Sequence, residues 1–333
     1  MNDLTRNAPR ISAAICTYNR YDLLETALAS LRQQTISKGE YSILVVDNSP
    51  DPNKARAFVD KYDKVENIRC LYTSTAGLAN ARNIALDACD TELIAYLDDD
   101  AIASPGWLES LQNAFDLFGA RAGAAGGPVD PIWQEDRPAW LPDDLLSALT
   151  VVDWGGSIRA LCDGQWIAGA NMAFRTHAVR DAGAFSTGLG RVGAGSVLLS
   201  NEEIEILAKL RSAGLRTIWA PGARVRHLVG RERLQQSWLR KRYAWQAVSD
   251  FVSSQGKSAI DFNASWQGLA HYFNALPPRL RTPRGLFVEV TDPDVFSMQV
   301  HANYSMTMLL LAGHHFPGLA SEDGSSEIKV GKC

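Results

Sequence analysis

A chain of 333 residues can bury a large core, as one large domain or two moderate ones. With 46% hydrophobic residues, 21% charged residues and a formal net charge of -4, it reads as a soluble globular protein, and bulk charge gives no reason to expect nucleic-acid binding. Five scattered cysteines without CxxC or Cys/His spacing exclude a disulfide framework and a zinc module, and the sequence shows neither a signal core nor an apolar run of about 18 residues, so a soluble protein of the reducing cytoplasm is expected.

Along the first 120 residues, short apolar runs alternate with amphipathic stretches, the pattern of βαβ units and a mostly parallel sheet. Strands are predicted at 10–16, 41–46, 68–72 and 93–97. Between them, Leu24, Leu28 and Leu31 share one helical face, 54–62 forms a shorter helix, and a third helix starts just after Gly77. A helix is predicted at about 106–118, then a glycine-loosened strand "GAAGGPV" (123–129). The irregular 130–165, with Trp133, Trp140 and Trp154, reads as a binding loop or lid. Next come "WIAGANMAF" (166–174), a short helix ending at Gly183, the glycine-rich 188–195, a helix closing on Gly214, and strands "RTIWA" and "ARVRHLV". From about 233 a long basic-aromatic helix opens a mainly helical C-terminal extension.

Each early strand ends in polar residues, "TYNR", "DNS", "TSTAG" and "DDD", and in open α/β sheets that edge is where ligands sit. This edge carries Thr17, Asn19, Arg20, Asp47, Asn48, Gly77, Asp98, Asp99 and Asp100. Like charges about 6 Å apart repel by roughly 2 to 3 kcal/mol at an effective dielectric near 20, so three consecutive aspartates call for a compensating cation. Strand alternation puts Asp98 and Asp100 on one face and turns Asp99 away, and two convergent carboxylates suit Mg²⁺ or Mn²⁺. The "GLGRVGAG" stretch contains GxGxxG at Gly188, Gly190 and Gly193, but it lies outside any opening βαβ unit and is read as a mobile loop, not a dinucleotide fingerprint.

"AAICTYNR", "VVDNS", "GLANARNIAL" and "LDDDA", in that order and spacing, resemble the nucleotide-sugar half of a family 2 glycosyltransferase, with the likeness running over about 10–230. The resemblance implies a GT-A fold and an inverting, metal-dependent enzyme using nucleoside diphosphate sugars, commonly UDP-linked. It implies that Thr17 and Asn19 line the nucleotide pocket, with Arg20, Asn48, Gly77 and Asp99 on the same edge. It further implies that Asp47 hydrogen-bonds the base with Arg82 nearby, that Asp98 faces the ribose, and that Asp100 binds the metal with His227. The family's acidic pair before its acceptor-side helix is usually Glu-Asp. Here it is Glu202-Glu203, with Glu203 at the base position and Glu202 the alternative. Ser200 to Glu203 also spells a capping box, S-x-x-E, which would give Glu203 a structural role instead. Trp166, Gly169, Ala170 and Asn171 stand where relatives form the acceptor floor. Arg240 and Arg242 could touch diphosphate, an anionic acceptor or a lipid surface, or form an ordinary solvated helix face.

The expectation is therefore an α/β, GT-A protein with a mostly parallel sheet: a glycosyltransferase domain at 1–230 (nucleotide-sugar half about 10–128, acceptor half about 129–230) and a helical extension at 231–333. It transfers sugar from a nucleotide-sugar donor to a saccharide or lipid-linked saccharide, needs Mn²⁺ or Mg²⁺, binds no nucleic acid, and works in the cytoplasm or peripherally at the inner face of the membrane. A metal-dependent phosphohydrolase would place its nucleophilic aspartate after an early strand, and a non-catalytic sugar-nucleotide binder would need no second acidic site.

Overall fold

The structure is a computed structural model and describes residues 8–191, 198–254 and 262–315. The predicted early strands form as β1 (Ile11–Thr17), β2 (Tyr41–Asp47), β3 (Ile68–Tyr72) and β4 (Leu93–Asp98), separated by α1 (Tyr21–Leu31), α2 (Pro52–Tyr62) and α3 (Leu78–Asp87). Helix α1 buries Leu24, Ala27, Leu28 and Leu31 as its spacing requires. Helix α2 starts where the Asp51 side chain accepts from the Asn53 and Lys54 amides, with Pro52 in its first turn.

Beyond β4 the chain forms β5 (Ala101–Ala103), α4 (Trp107–Phe118), β6 (Ala122–Gly126), β7 (Val129–Trp133), β8 (Arg159–Ala160), β9 (Asn171–Arg175), α5 (Thr176–Asp181), α6 (Glu202–Ser212), β10 (Arg216–Trp219) and β11 (Val225–Val229). Every regular element after that among the described residues is helical, the longest being α7 (Gln236–Ser253), α8 (Phe262–Ala275) and α9 (Pro293–His315). No helix among the described residues is long and apolar enough to cross a membrane.

The large sheet runs β3-β2-β1-β4-β9-β6-β10-β8, and a small one runs β5-β11-β7. Strands β3, β2, β1 and β4 are mutually parallel, while β9 runs antiparallel to both β4 and β6. The expected mostly parallel α/β sheet flanked by helices is present, with helices at the C-terminus.

One local reading needs correction. "GAAGGPV" is not one strand: it divides between β6 in the large sheet and β7 in the small one. Gly127 sits at the break, where any side chain would collide with the carbonyl oxygens of Ala220 and Ala223. "WIAGANMAF" becomes strand only from Asn171, so Trp166 to Ala170 leave the sheet.

The large sheet is packed on both faces. Ile15, Leu28, Trp107 and Phe115 lie in one cluster, and Leu44, Tyr96, Phe174 and Trp219 in the other. The irregular 130–165 segment contains a 3-10 turn (Asp143–Leu149) whose Leu145 and Leu149 pack with Leu239 of α7 and Phe296 of α9. Each such buried leucine contributes roughly 1.5 to 3 kcal/mol, enough to hold this segment against the C-terminal helices.

Candidate active site

β4 delivers Asp98 at its carboxyl end, and Asp99 and Asp100 make the turn into β5. Because β5 pairs antiparallel with β11, His227 lies opposite Ala101, immediately beside that turn. Asp98, Asp100 and His227 can each offer one ligand atom, and those atoms all lie within 4.8 Å of one another. His227 Nε2 approaches Asp100 Oδ1 at 3.1 Å, while Asp100 Oδ1 and His227 Nδ1 are sealed from solvent without a hydrogen-bond partner. Orphaned polar atoms on the Asp100 carboxylate and the His227 imidazole, with the Asp98 carboxylate close by, fit a divalent ion such as Mn²⁺.

The repulsion within the acidic turn is also offset by protein. Arg20 grips Asp99 through Nε and Nη2 and Asp100 Oδ2 through Nη1, the last at 2.6 Å, and Arg233 stands 3.9 Å from Asp100. Burial alone would raise Asp100, but His227, Arg20 and Arg233 hold its carboxyl well below the usual range. Burial pushes the Asp99 carboxyl up to about 7, with Arg20 opposing. We expect Asp100→Asn to weaken Mn²⁺ binding at least about a hundredfold, since even losing an outer-shell partner commonly costs 10- to 100-fold. Calorimetric titration with Mn²⁺ checks this, and unchanged affinity would remove Asp100 from the metal site.

Thr17, Asn19, Arg20, Asn48 and Asp99 line one cavity together with Tyr18. Thr17 Oγ1 donates to Asp99 at 2.7 Å, and Asn48 Nδ2 donates to the Gly77 carbonyl at 3.1 Å, steadying the entry to α3. Asp47 and Gly77 are not in that lining. The Asp47 carboxylate is buried, accepting from the Tyr21 hydroxyl at 2.8 Å and the Ser49 amide at 2.9 Å, so both oxygens are engaged within the protein.

Arg82 lines the adjoining cavity, which also holds Asp98, Asp100, His227 and Glu203. Its guanidinium is 2% exposed, bonded to Glu202 Oε1 at 2.6 Å and the Gly169 carbonyl at 3.3 Å, and lies 3.6 Å from Asp98. A side chain at Gly169 would come within 2.8 Å of Arg82 Nη2, so glycine is what admits the guanidinium. Glu202 is thereby neutralised. Glu203 makes no such pair among the described residues: its Oε2, like that of Glu202, is buried without a hydrogen-bond partner, and desolvation, with Glu202 adding and Arg82 and Arg242 opposing, pushes its carboxyl up to about 8. The capping box does not form. α6 begins at Glu202 behind Asn201, whose φ is 80° and whose side chain caps nothing, and the Ser200 amide donates to Ser249 Oγ at 3.0 Å.

Trp166, Gly169 and Ala170 line the same cavity as Glu203. Asn171 does not. It is fully buried, accepting from Trp107 Nε1 at 2.8 Å and donating to the carbonyls of Pro128 at 3.1 Å and Ala223 at 2.7 Å, so it ties the two sheets together instead of meeting a substrate.

Arg240 and Arg242 separate because two residues turn a helix by about 200°. Arg240 is buried against Gln236, Gln299 and the Val288 carbonyl, whereas Arg242 lines the cavity. The motif reading missed Arg191 and Arg233, which line it as well. Arg233 lies six residues past His227, in a basic "RER" stretch whose position after that strand was the available signal. Of the glycine-rich 188–195, residues 192–195 fall outside the described residues.

Comparison with known proteins bears on this geometry. The glycosyl transferase family 2 profile matches residues 12–147, and the glycosyl transferase family group 2 profile matches 93–318. The glucosyl-dolichyl phosphate glucuronosyltransferase of Haloferax volcanii is 26% identical over 245 residues, covering 73% of this chain and 77% of its own. The succinoglycan biosynthesis protein ExoM of Rhizobium meliloti is 28% identical over 239 residues, covering 70% and 71%. A solved mannosyltransferase, PcManGT from Pyrobaculum calidifontis in complex with GDP-Man and Mn²⁺, matches 96% of this chain and 77% of its own with a TM-score of 0.49 at 17% identity. With a family profile spanning more than half its length, the chain belongs to the family 2 glycosyltransferases, and its activity is glycosyl transfer.

Proposed function

We propose that the chain catalyses an inverting, metal-dependent transfer from a nucleoside diphosphate sugar, of the uridine class, to a saccharide or lipid-linked saccharide. One observation carries this reading: a single cavity is lined both by the Asp98, Asp100 and His227 cluster and by an acid, Glu203, whose buried Oε2 has no hydrogen-bond partner. Residues 1–230 form the transferase domain in this reading, and 231–333 the extension that walls its acceptor side.

Thr17, Asn19 and Asn48 hold the nucleotide. Asp100 and His227, with Asp98 beside them, would hold Mn²⁺ or Mg²⁺, which would supply positive charge for the departing diphosphate. Arg20, Arg191 and Arg233 add fixed positive charge on the same side. Glu203 takes the proton of the acceptor hydroxyl. The acceptor oxygen bonds to the anomeric carbon from the face opposite the diphosphate, the carbon–phosphate-oxygen bond breaks with its electron pair leaving on the nucleotide, and the configuration inverts. Glu202 stays paired with Arg82 and positions the first turn of α6. Trp166 offers a ring on which a sugar face can stack. Action in the cytoplasm, peripheral to the membrane, belongs to the same reading; the lipid-linked class of acceptor is supported by the dolichyl phosphate in the name of the Haloferax relative.

Thermal unfolding against a panel of nucleotide sugars with Mn²⁺ tests the donor. A ligand at a hundred times its Kd stabilises the native state by about 2.7 kcal/mol, which a melting curve resolves. A shift with UDP-sugars and none with other nucleotides is expected, and no shift with any sugar nucleotide would sink the assignment. Release of UDP and not of inorganic phosphate distinguishes transfer from phosphohydrolysis.

A further inference from the structure

Arg242 projects from α7 into the acceptor side of the cavity, beside Glu203, Trp166 and Tyr243. One edge of its guanidinium is anchored: Nη2 donates to Gln246 Oε1 at 2.7 Å and to Ser200 Oγ at 3.2 Å. The other nitrogen, Nη1, is sealed from solvent and has no hydrogen-bond partner. Both anchors are neutral, so they fix the orientation of the group without cancelling its charge.

Glu203, Asp250 and Glu202 favour its charged form from a distance, but among the described residues none forms a close ion pair with it. Glu202 belongs to Arg82. Asp250 accepts from Asn201 at 2.7 Å, Gln246 at 2.8 Å and the Tyr304 hydroxyl at 2.6 Å. Glu203 makes no ion pair with Arg242 and serves as the base. A buried, oriented guanidinium with an orphaned donor is completed by a ligand oxyanion, which its planar fork matches. Arg242 shares the central cavity with Arg20, Arg191 and Arg233, but it also lines a pocket with Trp166, Glu203 and Tyr243 whose lining includes none of those three arginines and none of the Asp98, Asp100 and His227 cluster, which sets it toward the acceptor.

We propose that Arg242 forms an oxyanion subsite in which the acceptor sugar presents a carboxylate or phosphate to Nη1 while its hydroxyl faces Glu203. This rests on the glycosyl-transfer reading of the cavity and narrows the acceptor to an anionic saccharide. Ser200 and Gln246 act as positioning residues, and Asp250 with Tyr304 connects that mount to α9.

The full-length protein with Mn²⁺ and saturating UDP is titrated by calorimetry or saturation-transfer NMR with glucuronate, glucose 1-phosphate and methyl β-glucoside at matched ionic strength. At least one anion is expected to bind about tenfold or more tightly than the neutral glucoside, the order expected for a charge-assisted hydrogen bond. The preferred anion distinguishes a carboxylate from a phosphate. Arg242→Gln should abolish the preference and leave UDP affinity within about twofold of wild type. Arg242→Lys, which keeps the charge but not the fork, should retain part of it, and it serves where the glutamine variant does not fold. Equal binding of all three probes, no binding by either anion, or a loss of UDP affinity in place of anion affinity would overturn the proposal. Failure of wild-type protein to bind UDP with Mn²⁺ would instead strike the donor reading beneath it.

Discussion

Replacing Glu203 with glutamine is expected to slow transfer about a hundredfold to ten-thousandfold while UDP binding and the fold persist, because general-base assistance is worth that much and the amide cannot take a proton. The residue is isosteric, and its Oε2 has no hydrogen-bond partner to lose. Stability moves the other way. Burial raises this carboxyl to about 8 from an ordinary value of 4.5, so the fold favours the neutral acid. That contribution is complete below the unfolded-state value and is lost as pH rises through about 8. Glu203→Gln stays neutral throughout and should melt at or above the wild-type temperature at pH 8 to 9. A base, by contrast, works only when ionised, so wild-type kcat/KM in the free enzyme should climb with pH, pass half its maximum near 8 and level off above it. Full activity in the glutamine variant with a lowered melting temperature would return Glu203 to a structural role.

Arg82→Met should cost about 3 to 5 kcal/mol in urea unfolding, since it strands the Glu202 carboxylate, buried and ion-paired at 2.6 Å, without its partner. Arg82 also gives up its bond to the Gly169 carbonyl and its position over the Tyr96 and Phe185 rings, so part of the loss is packing. Adding Glu202→Gln removes the stranded charge, and the double variant should recover at least about 1 kcal/mol relative to the sum of the single losses. Strict additivity would show that the pair is not coupled. A loss below about 1 kcal/mol for Arg82→Met alone would show that water reaches Glu202.

Much of the nucleotide edge was legible because it depends on local pattern. Four apolar runs ending in polar tips give β1 to β4 and bring Thr17, Asn19, Arg20, Asn48 and Asp98 to Asp100 to one sheet edge. Asp99 is set apart from Asp98 and Asp100 as read, but for a different reason. The strand stops at Asp98, so strand alternation cannot separate Asp99 from its neighbours. A turn separates them, and Thr17 and Arg20 hold Asp99 in place. What could not be read is tertiary. The bonding of Arg82 to Glu202 across two elements, the commitment of Asn171 to two distant carbonyls, and the burial of Arg240 while Arg242 faces the cavity all depend on which surfaces meet. The capping box fails similarly: Ser200 has a better partner in Ser249 on α7, which local sequence does not place nearby.

The small sheet gives the metal site a history as well as a geometry. β11 is its middle strand, and β5 and β7 meet only through it. The aspartates are synthesised long before His227, yet the strand that carries His227 also completes the platform beneath the acidic turn. In a growing chain the candidate cluster of Asp98, Asp100 and His227 therefore stays incomplete until β11 has been made, so whatever it holds waits on the last strand among the described residues.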